Sequence, residues 1–247
     1  MDQPLAQVFL YSLLAGTATV IGSLFVLYRA GGKRQDLYRV MAFASGVLLG
    51  AAFVHLIPEA MEQAARPAAW GLVIGFAAFF ALEQVTFSHA CPEYCEDCPV
   101  HPMGLVAFAA LTLHSLVDGL AVAAGFGVSA GLGLVAAFAV IVHEIPEGLA
   151  MTAIALAAGY GRRKALVLSL IVALATPVGA LMAYTGVTNI AGPLLAPLLG
   201  VAAGSFLYVG AADILPQLHR QRVRGIFALF MVGLGFMLLS GIFRIET

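Results

Sequence analysis

Eight apolar runs, each 21–28 residues long, follow one another along this chain with only short polar breaks between them. A helix needs roughly 20 mostly apolar residues to cross the hydrocarbon core of a bilayer. The runs are continuous and do not alternate, so the reading is membrane-spanning helices and not a barrel. The predicted spans are 4–28, 38–61, 68–88, 102–127, 131–158, 163–186, 194–217 and 223–243, within one transmembrane domain of residues 1–247. Composition agrees. Of 247 residues, 62% are hydrophobic and only 10% are charged, too few to coat a soluble domain of this size. The start, Met1-Asp2-Gln3-Pro4, carries no basic stretch ahead of the first run, so no cleavable signal peptide is expected.

The basic residues orient the bundle. Arg29, Lys33, Arg34 and Arg39 surround the first loop, Arg162, Arg163 and Lys164 the fifth, and Arg220, Arg222 and Arg224 the seventh. Only Arg66 and Arg244 fall on the other side. Basic loops stay in the cytoplasm, which puts both termini outside. The compact loops suggest the inner (plasma) membrane of a bacterium.

Ionisable groups inside lipid are costly and mark function by default. The fourth span carries His114-Ser115-Leu116-Val117-Asp118-Gly119, and the fifth carries His143-Glu144-Ile145-Pro146-Glu147-Gly148. In each, a histidine and an acid stand four residues apart, on one helix face. Two such helices side by side bring together two imidazoles and two carboxylates, a competent set for zinc or a similar divalent ion. Ser115 and Glu144 are turned by about 100° and read as the edge of a second site, with Asp118 and Glu147 bridging. Mid-membrane carboxylates also offer a route for coupling metal movement to protons. Pro146 is expected to kink its helix, and Gly119 and Gly148 to allow close helix approach. Polar glue between helices is the bland alternative, which two matched pairs make less apt than a lone histidine would.

Further motifs flank this centre. His55-Leu56-Ile57-Pro58-Glu59 ends the second span, and Asp213-Ile214-Leu215-Pro216-Gln217 ends the seventh, each after a small-residue stretch. Their opposite placement suits an inverted repeat of three helices around a central pair, with an ion passed from His55 and Glu59 to the centre and on to Asp213. Proline-terminated helix ends with polar caps are the plainer reading. Thr176, just before Pro177, either lends an oxygen to the core or repairs the proline break, and Glu83 reads as a snorkelling side chain. The loop 89–101 offers His89, Cys91, Cys95, Cys98 and His101. In the cytoplasm these thiols stay reduced, and the set suits a zinc trap or sensor at the exit.

The paired signature, His114 to Asp118-Gly119 and His143 to Glu147-Gly148, resembles that of the ZIP (Zrt/Irt-like) metal transporters of the bacterial type. The resemblance extends over essentially the whole chain. It implies an all-α bundle of eight helices in a 3+2+3 inverted repeat, rocking in an elevator-like step. It further implies import of Zn²⁺, and in relatives Cd²⁺, Fe²⁺ or Mn²⁺, as substrate and not as a catalytic cofactor. His114, Asp118, His143 and Glu147 match its primary ligands, Ser115 stands where many relatives have Asn, and Glu144 matches a second-site position. Thr176 stands where some bacterial relatives carry a ligating Glu, which implies a second site that is weaker or holds a different ion. Gln217 stands where Glu is common, implying looser binding at the inner exit. The expected partners are divalent metal ions and lipid, not nucleic acid, with a homodimer left open. A metal hydrolase is the rival enzyme reading, but position 147 is Glu where His-Glu-x-x-His needs His, and no general base or oxyanion pocket stands out. A metal-selective channel lined by the same ligands is the rival transport reading.

Overall fold

The computed structural model describes residues 5–29, 34–90, 103–220 and 223–245. These form helices α1 (Leu5–Arg29), α2 (Arg34–Ala51), α3 (Ile57–Ala90), α4 (Met103–Val128), α5 (Ala130–Ala157), α6 (Arg162–Met182), α7 (Thr188–Leu207), α8 (Leu215–Arg220) and α9 (Ile226–Ile245), with no strand among the described residues. Wide π-turns at Ala52–Leu56 and Tyr208–Ile214 join α2 to α3 and α7 to α8, and a third, Ala183–Val187, follows α6. In the absence of water the backbone satisfies itself, and helices do this segment by segment. Helical turns therefore also fill 188–193, which the hydropathy pattern leaves between spans. Large apolar side chains such as Phe9, Ile21, Trp70, Phe138, Leu174 and Leu239 point outward. An outside as apolar as the inside is what lipid as solvent permits.

Among the described residues, six stretches are long and apolar enough to cross a bilayer, and Ile226–Ser240 is a shorter apolar helix. One of the six, Arg34–Val85, runs for 52 residues, and within it Ala64 leaves the helical conformation for an extended one (φ −165°, ψ 101°). This break divides α3, near the boundary expected between the second and third spans. The expected kink at Pro146 does not interrupt α5, which stays helical from Ala130 to Ala157. At the other end of α5, Ser129 accepts a hydrogen bond from the Leu132 amide at 3.1 Å as an N-cap.

The two motifs that end in proline share one backbone device. The Ile57 amide bonds back five residues to the Ala52 carbonyl, immediately before Pro58. The Leu215 amide does the same to Gly210, immediately before Pro216. Proline has no amide hydrogen and crowds the preceding turn, and one wide turn accommodates both effects.

Helix packing rests on reciprocal glycine contacts. Gly22 of α1 lies on the Ile145 carbonyl of α5, and Gly148 of α5 lies on the Thr19 carbonyl of α1. The same exchange joins α4 to α6 through Gly119 and Gly179, α2 to α9 through Gly46 and Gly233, and α3 to α7 through Gly71 and Gly200. At each of these eight glycines an added methyl would overlap a carbonyl oxygen of the facing helix. Such spacing lets backbones approach to van der Waals contact where no hydrophobic force drives association. The contacts assemble α1, α4, α5 and α6 into one packed group and pair α3 with α7 and α2 with α9.

Gly148→Ala is expected to destabilise the bundle by about 1–3 kcal/mol through overpacking. Gly235→Ala, where nothing lies within 4 Å of the new methyl, is expected to cost nothing. Thermal unfolding of both variants in detergent checks this, and equal melting of the two would contradict the close-contact account.

Candidate metal centre

α4 and α5 lie side by side and put their ionisable residues in one buried cluster. His114 is 3% exposed, Asp118 6%, Glu144 0% and Glu147 3%. His143 is partly buried. Asp118 Oδ2 is the hub. It lies 2.8 Å from His143 Nε2 and 3.1 Å from His114 Nε2. The two imidazole centroids are 5.5 Å apart. The i, i+4 spacing expected to put His114 and Asp118 on one face therefore does so, and His143 of the neighbouring helix completes the trio.

The second i, i+4 pair is arranged differently. Glu147 turns away from the imidazoles: its Oε1 accepts from the Ser115 hydroxyl at 2.9 Å, and its Oε2 is buried without a hydrogen-bond partner. Glu144 is held from two sides, by the Thr176 hydroxyl of α6 at 2.7 Å and by the Thr19 hydroxyl of α1. Thr176 thus makes a hydrogen bond into the core. Two ligand groups emerge, sharing one member: His114, Asp118 and His143, and Asp118, Glu144 and Glu147, each with its ligand atoms within 4.8 Å of one another.

A small cavity opens beside the cluster. His114, His143 and Glu147 form one wall, while Val47, Leu48 and Ala51 of α2 and Phe206 of α7 form an apolar wall opposite. The Phe206 ring packs against His114 at a tilt of 50°, with centroids 4.3 Å apart. The clustered ionisable side chains therefore belong to the α1–α4–α5–α6 group, and the apolar wall they face belongs to α2 and α7.

The flanking residues also have partners outside this cluster. His55 Nε2 lies 2.9 Å from the Ser240 hydroxyl of α9, and Glu59 follows one turn on, half-buried. Asp213 is buried in its π-turn; Oδ1 accepts from the Gln217 amide at 2.9 Å, and Oδ2 has no hydrogen-bond partner. Glu83 does not simply snorkel: it accepts a hydrogen bond from Tyr208, itself buried and edge-on to Phe76. Cys91, Cys95, Cys98 and His101 lie outside the described residues, and so does the His89 side chain.

Thr19 is the site residue that reading α4 and α5 alone misses. Its signal was present: Ser12, Thr19 and Ser23 stand at spacings of seven and four in a mostly apolar helix, a polar stripe on one face. All three are wholly buried. Ser23 donates to the Thr19 carbonyl at 2.9 Å and reaches the Gly148 carbonyl at 3.2 Å, so the stripe lies against α5.

Comparison with known proteins gives a consistent result. A family profile described as ZIP Zinc transporter matches residues 92–242. The zinc transporter ZupT of Chlorobium limicola is 30% identical over 258 residues, covering 93% of this chain and 94% of the relative. ZupT of Chlorobium luteolum is 28% identical, with 94% and 95% covered. The zinc transporter ZIP13 of Pongo abelii is 30% identical over 236 residues, covering 85% of this chain and 69% of the relative.

Thr19→Val is expected to lower stability by about 1–3 kcal/mol, because it leaves one oxygen of a wholly buried carboxylate unsatisfied. Thr19→Ser is expected to restore most of the loss. If the valine and serine variants melt alike, the hydroxyl contact contributes nothing to stability.

Proposed function

The chain belongs to the ZIP zinc transporter family and carries divalent metal across a membrane in which it is embedded by several helices, and we propose that its principal substrate is Zn²⁺, imported through His114, Asp118 and His143. The observation that carries this reading is the convergence of two imidazole nitrogens on one carboxylate oxygen in the middle of the bundle. Two nitrogens and an oxygen suit zinc, which accepts tetrahedral sets of this kind. Glu147 stands one turn from His143, lines the same cavity and is a further carboxylate that could close the shell. Removed from water, a bare dication gains from these ligands what it loses in hydration, and the carboxylates gain the counter-charge that lipid cannot supply.

Eight crossings are the topology that best fits these helices. A stretch of 52 residues is more than twice what one crossing needs, and its break at Ala64 makes it two. With the five other long stretches and the final apolar helix this gives eight. A 3+2+3 inverted repeat is supported by the matching π-turns before Pro58 and Pro216. It is supported again by the helix pairs, since the repeat exchanges α1·α5 with α6·α4 and α2·α9 with α7·α3, and all four pairs use the same reciprocal glycine contact.

Alternating access follows from where the ligands sit. The opposed wall of Val47, Leu48, Ala51 and Phe206 offers no ligand, so the metal travels with the α1–α4–α5–α6 group as that group slides past an apolar surface. His55 and Glu59 lead in from the outer side, and Asp213 lies on the cytoplasmic side with one carboxylate oxygen unpaired. The Cys and His residues of 89–101 then act as a cytoplasmic acceptor. The positive-inside pattern supports this orientation, and the compact loops support the plasma membrane of a bacterium.

Protein reconstituted in liposomes is expected to take up Zn²⁺ with saturation, read by an internal dye. His143→Ala is expected to lower uptake at limiting zinc by more than about 100-fold, beyond the loss that follows removal of a supporting group. Wild-type transport that survives in His143→Ala would move the site elsewhere, and linear uptake without saturation would favour a channel.

A further inference from the structure

α9 is almost wholly apolar. From Ile226 to Phe243 its only polar side chain is Ser240. That one hydroxyl meets His55, whose Nε2 lies 2.9 Å from Ser240 Oγ. Packing builds the meeting. Gly46 and Gly233 bring α2 and α9 together backbone to backbone, and Gly50 leaves room for the Met237 side chain. His55 follows in the π-turn Ala52–Leu56, so the polar position of α9 falls beside the polar position of the turn.

Ser240 does not need this contact. Its hydroxyl donates to the Met237 carbonyl of its own helix at 2.8 Å, the ordinary way a serine in an apolar helix is satisfied. That bond decides the direction of the next one. A hydroxyl has one proton, and a carbonyl oxygen can only accept. With its proton engaged on Met237, Ser240 Oγ meets His55 as an acceptor, and Nε2 supplies the hydrogen. The other tautomer would set the Nε2 lone pair against those of Ser240 Oγ, or break the bond to Met237. A neutral imidazole carries one N–H, so protonation at Nε2 leaves the ring's lone pair on Nδ1. This relay, from imidazole to hydroxyl to carbonyl, is what a metal-binding histidine uses. Its second nitrogen donates to a fixed acceptor, which sets the tautomer and ring orientation and raises the basicity of the ligating nitrogen.

We infer that Ser240 is a positioning residue for metal entry: it holds His55 as the Nε2–H tautomer and so makes Nδ1 the atom that takes Zn²⁺, together with Glu59, at the outer end of the path. This rests on the reading that His55 and Glu59 lead the metal in. Ser240 itself binds no metal. Through it α9, which among the described residues supplies none of the clustered ionisable side chains, takes part in capture.

Two measurements on the full chain test this. The first reads the tautomer. Protein in detergent, labelled with ¹⁵N at its six histidines, is studied by long-range ¹H–¹⁵N correlation where imidazole is neutral, and His55 is identified by the signal lost in His55→Gln. The expected result is a protonated Nε2 and a lone-pair Nδ1 at His55, with Ser240→Ala giving a mixture of tautomers. A wild-type His55 protonated at Nδ1 would overturn the inference. The second measurement is Zn²⁺ uptake into liposomes. Ser240→Ala is expected to raise half-saturating Zn²⁺ about 10-fold, with far less change in the rate at saturating Zn²⁺. Ser240→Thr, which keeps the hydroxyl, is expected to restore it. An equal loss of rate at every zinc concentration, not rescued by threonine, would make Ser240 merely structural and overturn the inference. His55→Ala separates the two ideas. If it raises half-saturating Zn²⁺ and Ser240→Ala does not, the positioning role falls and the entry reading stands. If His55→Ala saturates at the wild-type zinc concentration, both fall.

Discussion

Asp118 holds the centre of this structure together. A carboxylate buried in the middle of a membrane bundle has to find its partners within the protein, because neither lipid nor water will supply them. Asp118 finds two imidazoles, one from its own helix and one from the next. That single oxygen ties the relative rotation of α4 and α5, since His143 reaches it only when the two helix faces are turned toward each other. The rest of the cluster is arranged around this orientation, with Glu144 and Glu147 turned to the seam that α5 shares with α1, α4 and α6.

Close helix approach makes these contacts attainable. Thr19 has a short side chain, and it reaches Glu144 because Gly22 and Gly148 let α1 and α5 meet backbone to backbone. Gly119 and Gly179 do the same for α4 and α6 and bring Thr176 to the other oxygen of Glu144. Small residues and buried hydroxyls are thus one device: the glycines set the distance and the hydroxyls satisfy the charge. The α1–α4–α5–α6 group is tied through its own polar contacts, while its face toward α2 and α7 is apolar around the cavity.

Much of this was legible in the residues. The two His-x-x-x-acid pairs gave the centre because ionisable groups in lipid are rare and their helical spacing fixes their face. The proline motifs at Pro58 and Pro216 gave a paired feature, though not its form, since a π-turn answers to a missing amide and leaves no pattern of its own. Thr19 was harder to find. A threonine in an apolar helix is ordinarily satisfied by its own backbone, and only its register with Ser12 and Ser23 sets it apart. Glu83 read as a surface-seeking side chain because its partner, Tyr208, lies 125 residues away.

The sequence by itself determined that this chain is a helical membrane protein and which two segments supply its buried cluster of ionisable side chains. Each of these follows from local properties: run length and helical periodicity. Only the tertiary structure decided how those side chains divide. From spacing alone, Glu147 was as near to the imidazoles as Asp118, and Thr176 served a proline as readily as a carboxylate. The choice depends on which helix packs against which face of α5, and that was set by glycine contacts between segments far apart in the chain. Packing of this kind is a property of pairs of surfaces, and no single segment encodes it.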